Sequence, residues 1–323
     1  LRDYNERATV TSQKLQAVSG GFNAVGNALF AISTPILAVG SYGIKSAIDF
    51  ESAFAGVRKT VDATEPQFKK LENAAISMSE RLPKSASEIS KIMEIAGQLG
   101  IKVEDIEKFS ETMIRLGDST NIASEDAALL LAQFVNITGL DHSQIDKLSS
   151  VIVDLGNHTA TTEDKIVNLM HNLAGGGKIF GLLDYQIAGL SATMSATGIE
   201  AEKGGTAMTK FMISVLASTG KSSESFYKMG EQLGMTTEEM DKQCAKAKKS
   251  LGRLATVSGL TADEFKKLVK ENPSEALMKL IEGLGKLQES GEDVAPVLEA
   301  IGIKENRLRD TILRLVTGHK HLR

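Results

Sequence analysis

An all-α fold is what this chain predicts. Apolar residues recur at helical spacing along most of its length, and no stretch longer than four residues alternates as a half-buried strand would. Only 5 prolines interrupt 323 residues, so long helices are permitted.

The helices share a recurring joint. Ile89, Ile92, Met93, Ala96 and Leu99 lie on one helical face, and Gly100 then stops the pattern. A left-handed glycine ends a helix at low steric cost, and the apolar residue after it, here Ile101, folds back on the last turn. Glu104 and Asp105 suit the positive end of the next helix, whose face is Ile106, Phe109, Met113 and Leu116. The same order recurs at Gly139-Leu140, Gly198-Ile199, Gly234-Met235, Gly259-Leu260 and Gly302-Ile303. The intervals between these joints differ, so the sequence predicts helical hairpins without a fixed repeat, and not a solenoid.

Taken in order, residues 1–43 form a polar lead followed by an uncharged segment. Residues 15–44 contain no Asp, Glu, Lys or Arg. That length would cross a bilayer, but Gly20, Gly21, Gly26, Asn23, Asn27 and Pro35 dilute it. A close-packed small-residue helix pair, conditional membrane contact and a transmembrane helix all remain open. Residues 44–215 form the main helical domain. A helix is predicted from Lys45 to Val61, a turn at Asp62 to Pro66, and a second helix to about Arg81. Ser85 and Glu88 have capping-box spacing. Ser124 is the expected N-cap for Ala127, Leu131 and Phe134; Ile145, Leu148, Ile152 and Leu155 make the next face, closed by Gly156-Asn157. Ile166, Leu169, Met170 and Leu173 follow, and Ala174-Gly175-Gly176-Gly177-Lys178 is the expected flexible point. A short helix carries Ile187, Leu190 and Met194, and Gly204-Gly205-Thr206 leads into Met208, Phe211 and Met212. Residues 216–323 form a C-terminal helical extension, more charged at first, with an apolar stripe regained over 256–316.

Composition and motifs narrow the chemistry. A net charge of −4 argues against a globally nucleic-acid-binding surface. The one cysteine, Cys244, excludes an intrachain disulfide, and its lysine neighbours do not supply the histidine a nucleophile needs. The chain starts at Leu1 rather than Met, which predicts a piece of a longer polypeptide. Gly177-Lys178 and Gly220-Lys221-Ser222 lack the first glycine of a phosphate loop. His142, His158, His171, His319 and His321 have no metal-ligand spacing. The acidic pairs Glu104-Asp105 and Glu238-Glu239 are explained by helix starts. No catalytic, cofactor-binding or metal-ligating residue is assigned, and the expectation is a protein that is not an enzyme.

Seven pieces in order carry a family resemblance. They are Ile48-Asp49-Phe50-Glu51, Ala96-Gly97-Gln98-Leu99-Gly100-Ile101, Ala127-Ala128 with Phe134-Val135-Asn136-Ile137, Leu155-Gly156-Asn157, Leu173-Ala174-Gly175, Gly198-Ile199 and Gly205-Thr206-Ala207. Over about residues 44–215 the chain resembles the core region of phage tail tape measure proteins. The resemblance implies a scaffold inside the tail tube that templates tube assembly, sets tail length and leaves during DNA ejection. It implies the tail tube protein, tail assembly chaperones and baseplate or tail-tip hub proteins as partners, with self-association. Host membrane contact through 15–44 is a further expectation, and no specific nucleic-acid binding is expected. The implied location is the virion tail lumen, with the host cytoplasm during assembly. A secreted or membrane-associated helical effector or pore former is the alternative. As one continuous helix the chain would span roughly 480 Å at ~1.5 Å per residue, but its glycine stops predict that it folds back on itself.

Overall fold

Where the structure describes them, the glycine joints form as the sequence predicts; Gly302 lies outside the described residues. Gly100 takes φ +78°, its N–H donates to Gly97 O at 3.1 Å, and the Ile101 N–H reaches back to Ala96 O at 3.0 Å. This closes a Schellman motif and buries Ile101. The same long backward bond is made by Ile199, Met235, Leu260 and Ile303. Gly139 instead donates to Val135 O in the simpler left-handed cap. At Gly181-Leu182 the structure adds a joint that the sequence reading does not anticipate.

The computed structural model describes residues 40–220, 227, 230, 234–300, 303, 304 and 306–317. Among them are fifteen α-helices and no strand. The first nine are α1 (Gly40–Thr60), α2 (Glu65–Arg81), α3 (Ala86–Gln98), α4 (Val103–Ser119), α5 (Ser124–Thr138), α6 (Ile145–His158), α7 (Glu163–Phe180), α8 (Asp184–Ala196) and α9 (Ala201–Ser218). The C-terminal six are α10 (Thr237–Lys248), α11 (Leu251–Val257), α12 (Ala262–Glu271), α13 (Pro273–Glu289), α14 (Ala295–Ala300) and α15 (Asn306–Thr317).

The first nine helices make two rows. The odd-numbered helices pack each on the next, from α1 through α3, α5 and α7 to α9; α2, α4, α6 and α8 do the same in a second row. Contacts such as α3 with α4 and α7 with α8 hold the rows together. The rows end where α10 and α15 pack on α9, while α11, α12 and α13 pack on one another and α13 meets α15. A continuous apolar core runs from Phe54 to Val316, with Met78, Ile92, Phe109, Phe134, Phe211 and Phe265 almost wholly buried. Burial of each such side chain is worth about 1.5–3 kcal/mol against exposure, which outweighs the small differences in helix propensity along the rows.

Four expectations are corrected by this arrangement. A regular interval does exist: α3, α5, α7 and α9 begin 38, 39 and 38 residues apart. The interval is hidden in the sequence because the recurring joints mix the ends of both rows and Gly181 is not among them. The expected flexible point at 174–178 lies inside α7, where Gly176 meets Thr209 and Gly177 meets Ile187. Those glycines are close-approach positions between helices, not a loop. Gly156 likewise lies within α6 against Glu163, and Ser124 is the first helical residue rather than the cap, buried against Gly117.

No helix among the described residues is long and apolar enough to cross a membrane. The uncharged segment is outside the described residues as far as residue 39, and residues 40–44 open α1.

Candidate assembly surface

The closest helix approaches in the first row are made by small residues on facing turns. A Cβ added at Gly97 of α3 would fall 2.5 Å from Val61 Cγ2 and 2.8 Å from Thr60 Oγ1, while Gly56 of α1 faces Glu94 of α3. In the α7–α9 pair, Gly176 faces Thr209 and Gly205 faces Asn172. Residue numbers rise together across both contacts, so row neighbours run parallel. Two pieces of the family resemblance sit at these contacts, through Gly97 and Gly205.

Polar clasps hold the second row. Between α2 and α4, Arg81 Nη1 and Nη2 donate to Glu111 Oε1 and Oε2 at 2.6 and 2.7 Å. Arg115 adds two donors to the same carboxylate, at 3.0 and 2.8 Å. The Arg81 hydrogen bonds, followed by those of Arg115, outweigh partial burial and hold the Glu111 pKa at about 2. Between α4 and α6, Lys108 Nζ lies 3.2 Å from Asp146 Oδ2 and donates to Ser143 O at 2.9 Å. Thr161 and Ser195 share a hydrogen bond between the α6–α7 loop and α8. Asn136 Nδ2 donates to Leu99 O at 2.7 Å, tying α5 to the end of α3.

The concavities of the described surface include two between helices. An apolar cleft of about 290 Å³ lies where α6, α8 and α13 meet, walled by Leu155, Leu182, Leu190, Leu277 and Met278. An open groove of about 420 Å³ runs between α4 and α6, past Arg115, Asp146, Ser149 and Asp154. Within it, Asp146 Oδ1 and Ser149 Oγ are buried and bond no protein group. Ile48, Leu129, Ile137, Leu183 and Tyr185 are exposed large apolar side chains.

The residues weighed for chemistry do not converge. Lys178 is in the last turn of α7 rather than in a phosphate loop. The His158 ring meets its own helix through Asp154 O at 2.8 Å, and His142 lies 3.7 Å from Asp105. His171 Nδ1 is buried and unpartnered. Among the described residues no group of His, Cys, Asp and Glu is arranged to hold a metal ion. His319, His321 and the Cys244 side chain lie outside what the structure describes. Glu104 and Asp105 occupy the first turn of α4, and Glu238 and Glu239 that of α10. The Ser85 hydroxyl, followed by its backbone N–H, lowers the pKa of Glu88; the backbone N–H groups of Thr236 and Thr261, followed by their hydroxyls, lower those of Glu239 and Glu264. A general acid or base at neutral pH needs a carboxylate shifted upward, and these caps shift the other way. The arrangement can pack, clasp and present surface.

The model of a family described as "Phage-related minor tail protein" matches residues 72–301, from within α2 to beyond α14. No curated protein matches the chain.

Proposed function

The chain belongs to the phage-related minor tail protein family, and from that premise we propose that it is part of a tail tape measure protein. Membership gives a structural role in a phage tail and contact with other tail components. The finer reading is a scaffold that templates the tail tube, sets its length and leaves with DNA ejection. The family match over residues 72–301 and the ordered resemblance from Ile48 to Ala207 support it. The proposed partners are the tail tube protein, assembly chaperones and a baseplate or tip hub, with self-association, and the proposed location is the tail lumen. Contact of residues 15–44 with the host membrane belongs to the same proposal. In this reading the compact rows are a folded portion of the scaffold, while the ruler's length lies in extended helix elsewhere.

Peptide mass spectrometry of purified particles, before and after DNA ejection, tests it. Peptides present in intact particles and depleted after ejection are expected. Peptides retained after ejection overturn release and assign the chain to a fixed tip or baseplate. Peptides absent from particles overturn the tail role for this chain.

A further inference from the structure

The two rows have a mechanical consequence that does not rest on the tail role. Through α9, every extensive helix contact joins elements one or two places apart in the chain. The contact of α1 with α3 has no counterpart linking α1 to α5, α7 or α9 among the extensive contacts. The joints are equally local: Gly100 and Ile101 bond carbonyls within the preceding turn. Helices removed from the α1 end therefore take with them only their extensive contacts to elements one or two places along the chain. Stability in such a stack is close to a sum of pair terms and neighbour terms.

The other end is built differently. Every residue from Phe211 to Thr219 is buried. Helix α15 returns over a long chain distance to pack on α9 and α8 as well as α13. Residues from α9 onward are thus cross-linked by non-local packing, and they cannot be shed pair by pair.

We propose that the protein gives way under tension from the α1 end, α1 to α8 yielding in more than one event ahead of one larger event for α9 to α15. Residues 40–200, which hold α1 to α8, extend by roughly 550 Å at ~3.3–3.6 Å per residue. An opening that admits only an extended chain can then draw the rows through stepwise, without melting the whole core at once.

Optical-tweezers extension of the full 323-residue chain, held between handles at its ends, reads the unit size. Several steps that sum to roughly 550 Å and one of roughly 400 Å are expected at full extension. A single all-or-none event of roughly 900 Å overturns the proposal. Hydrogen exchange of the unmodified chain in increasing urea is the second measurement. Amides in α1 to α4 should lose protection at lower urea concentrations than those in α9 and α13. A common midpoint for all helices is incompatible with separate units. Particle composition tests the tail role, and neither of these measurements bears on it.

Discussion

Gly205 of α9 faces Asn172 of α7 so closely that an added Cβ would fall 2.6 Å from Asn172 Cβ and 3.2 Å from its backbone carbonyl carbon. Neither atom is the far end of a flexible side chain, so one helix must move to admit a methyl group. Two effects compete at this position. Replacing glycine in a helix gains about 1 kcal/mol of propensity, while overpacking a close contact costs about 1–3 kcal/mol. Gly205→Ala is expected to lower stability by a net ~0.5–2 kcal/mol. Gly175, in the neighbouring α7, has nothing within 4 Å of an added Cβ. Gly175→Ala is expected to raise stability by ~0.5–1 kcal/mol. Urea unfolding of both variants checks the pair; equal effects of the same sign would contradict the close contact.

Gly100 separates backbone conformation from packing. Its φ of +78° is left-handed, yet an added Cβ meets nothing. Gly100→Ala should therefore cost only the conformational penalty, ~1–2 kcal/mol. Gly100→Asn should cost less, because asparagine enters that region more readily. A thermal midpoint ordered Gly, Asn, Ala is the expected result.

The start of α3 rests on a reciprocal cap. Ser85 Oγ accepts from the Glu88 N–H at 3.3 Å, and Glu88 Oε2 accepts from the Ser85 N–H at 2.9 Å. Ser85→Ala removes the first of these bonds and should cost ~1 kcal/mol, against a few tenths for Ser85→Gly. Denaturation midpoints of the two variants distinguish the loss of the cap from a general effect of substitution.

The clasp between α2 and α4 makes stability depend on pH. With Glu111 held at about 2 by Arg81 and Arg115, against an ordinary 4.5, the folded state favours the carboxylate. Its contribution is fully present above pH 4.5 and is lost as the pH falls toward 2. The arginines are partly solvent-exposed, so screening keeps the whole contribution below about 1 kcal/mol. Glu111→Gln should be less stable than the unmodified protein at pH 7 and indistinguishable from it near pH 2. Added salt should narrow the difference at pH 7. A difference that persists unchanged into acid would assign the effect to packing rather than charge.

Local features were legible in the sequence and pair geometry was not. Gly100-Ile101 announces its joint because the signal lies within six residues, and Ser85 with Glu88 announces its cap for the same reason. The 38–39-residue interval depends on which joints belong to the same row, and that is settled by contacts between residues as distant as Asn172 and Gly205. Gly176 looks like loop sequence because helix propensity penalises it. It lies within α7, and it is glycine there because a larger side chain would meet Thr209. The clasp of Arg81 with Glu111, separated by 30 residues, carries no pattern at all. Nor does the groove at Asp146 and Ser149, whose walls come from two helices.

The glycine joint also bears on ancestry. Its hydrogen bonds run from backbone to backbone, and only the Gly100 conformation and the apolar character of Ile101 are asked of the side chains. Most surface positions of α3 and α4 can then drift without altering the turn between them. Two descendants of one ancestor can share this architecture after their identities have become hard to align, and the left-handed glycines would be among the last landmarks to fade.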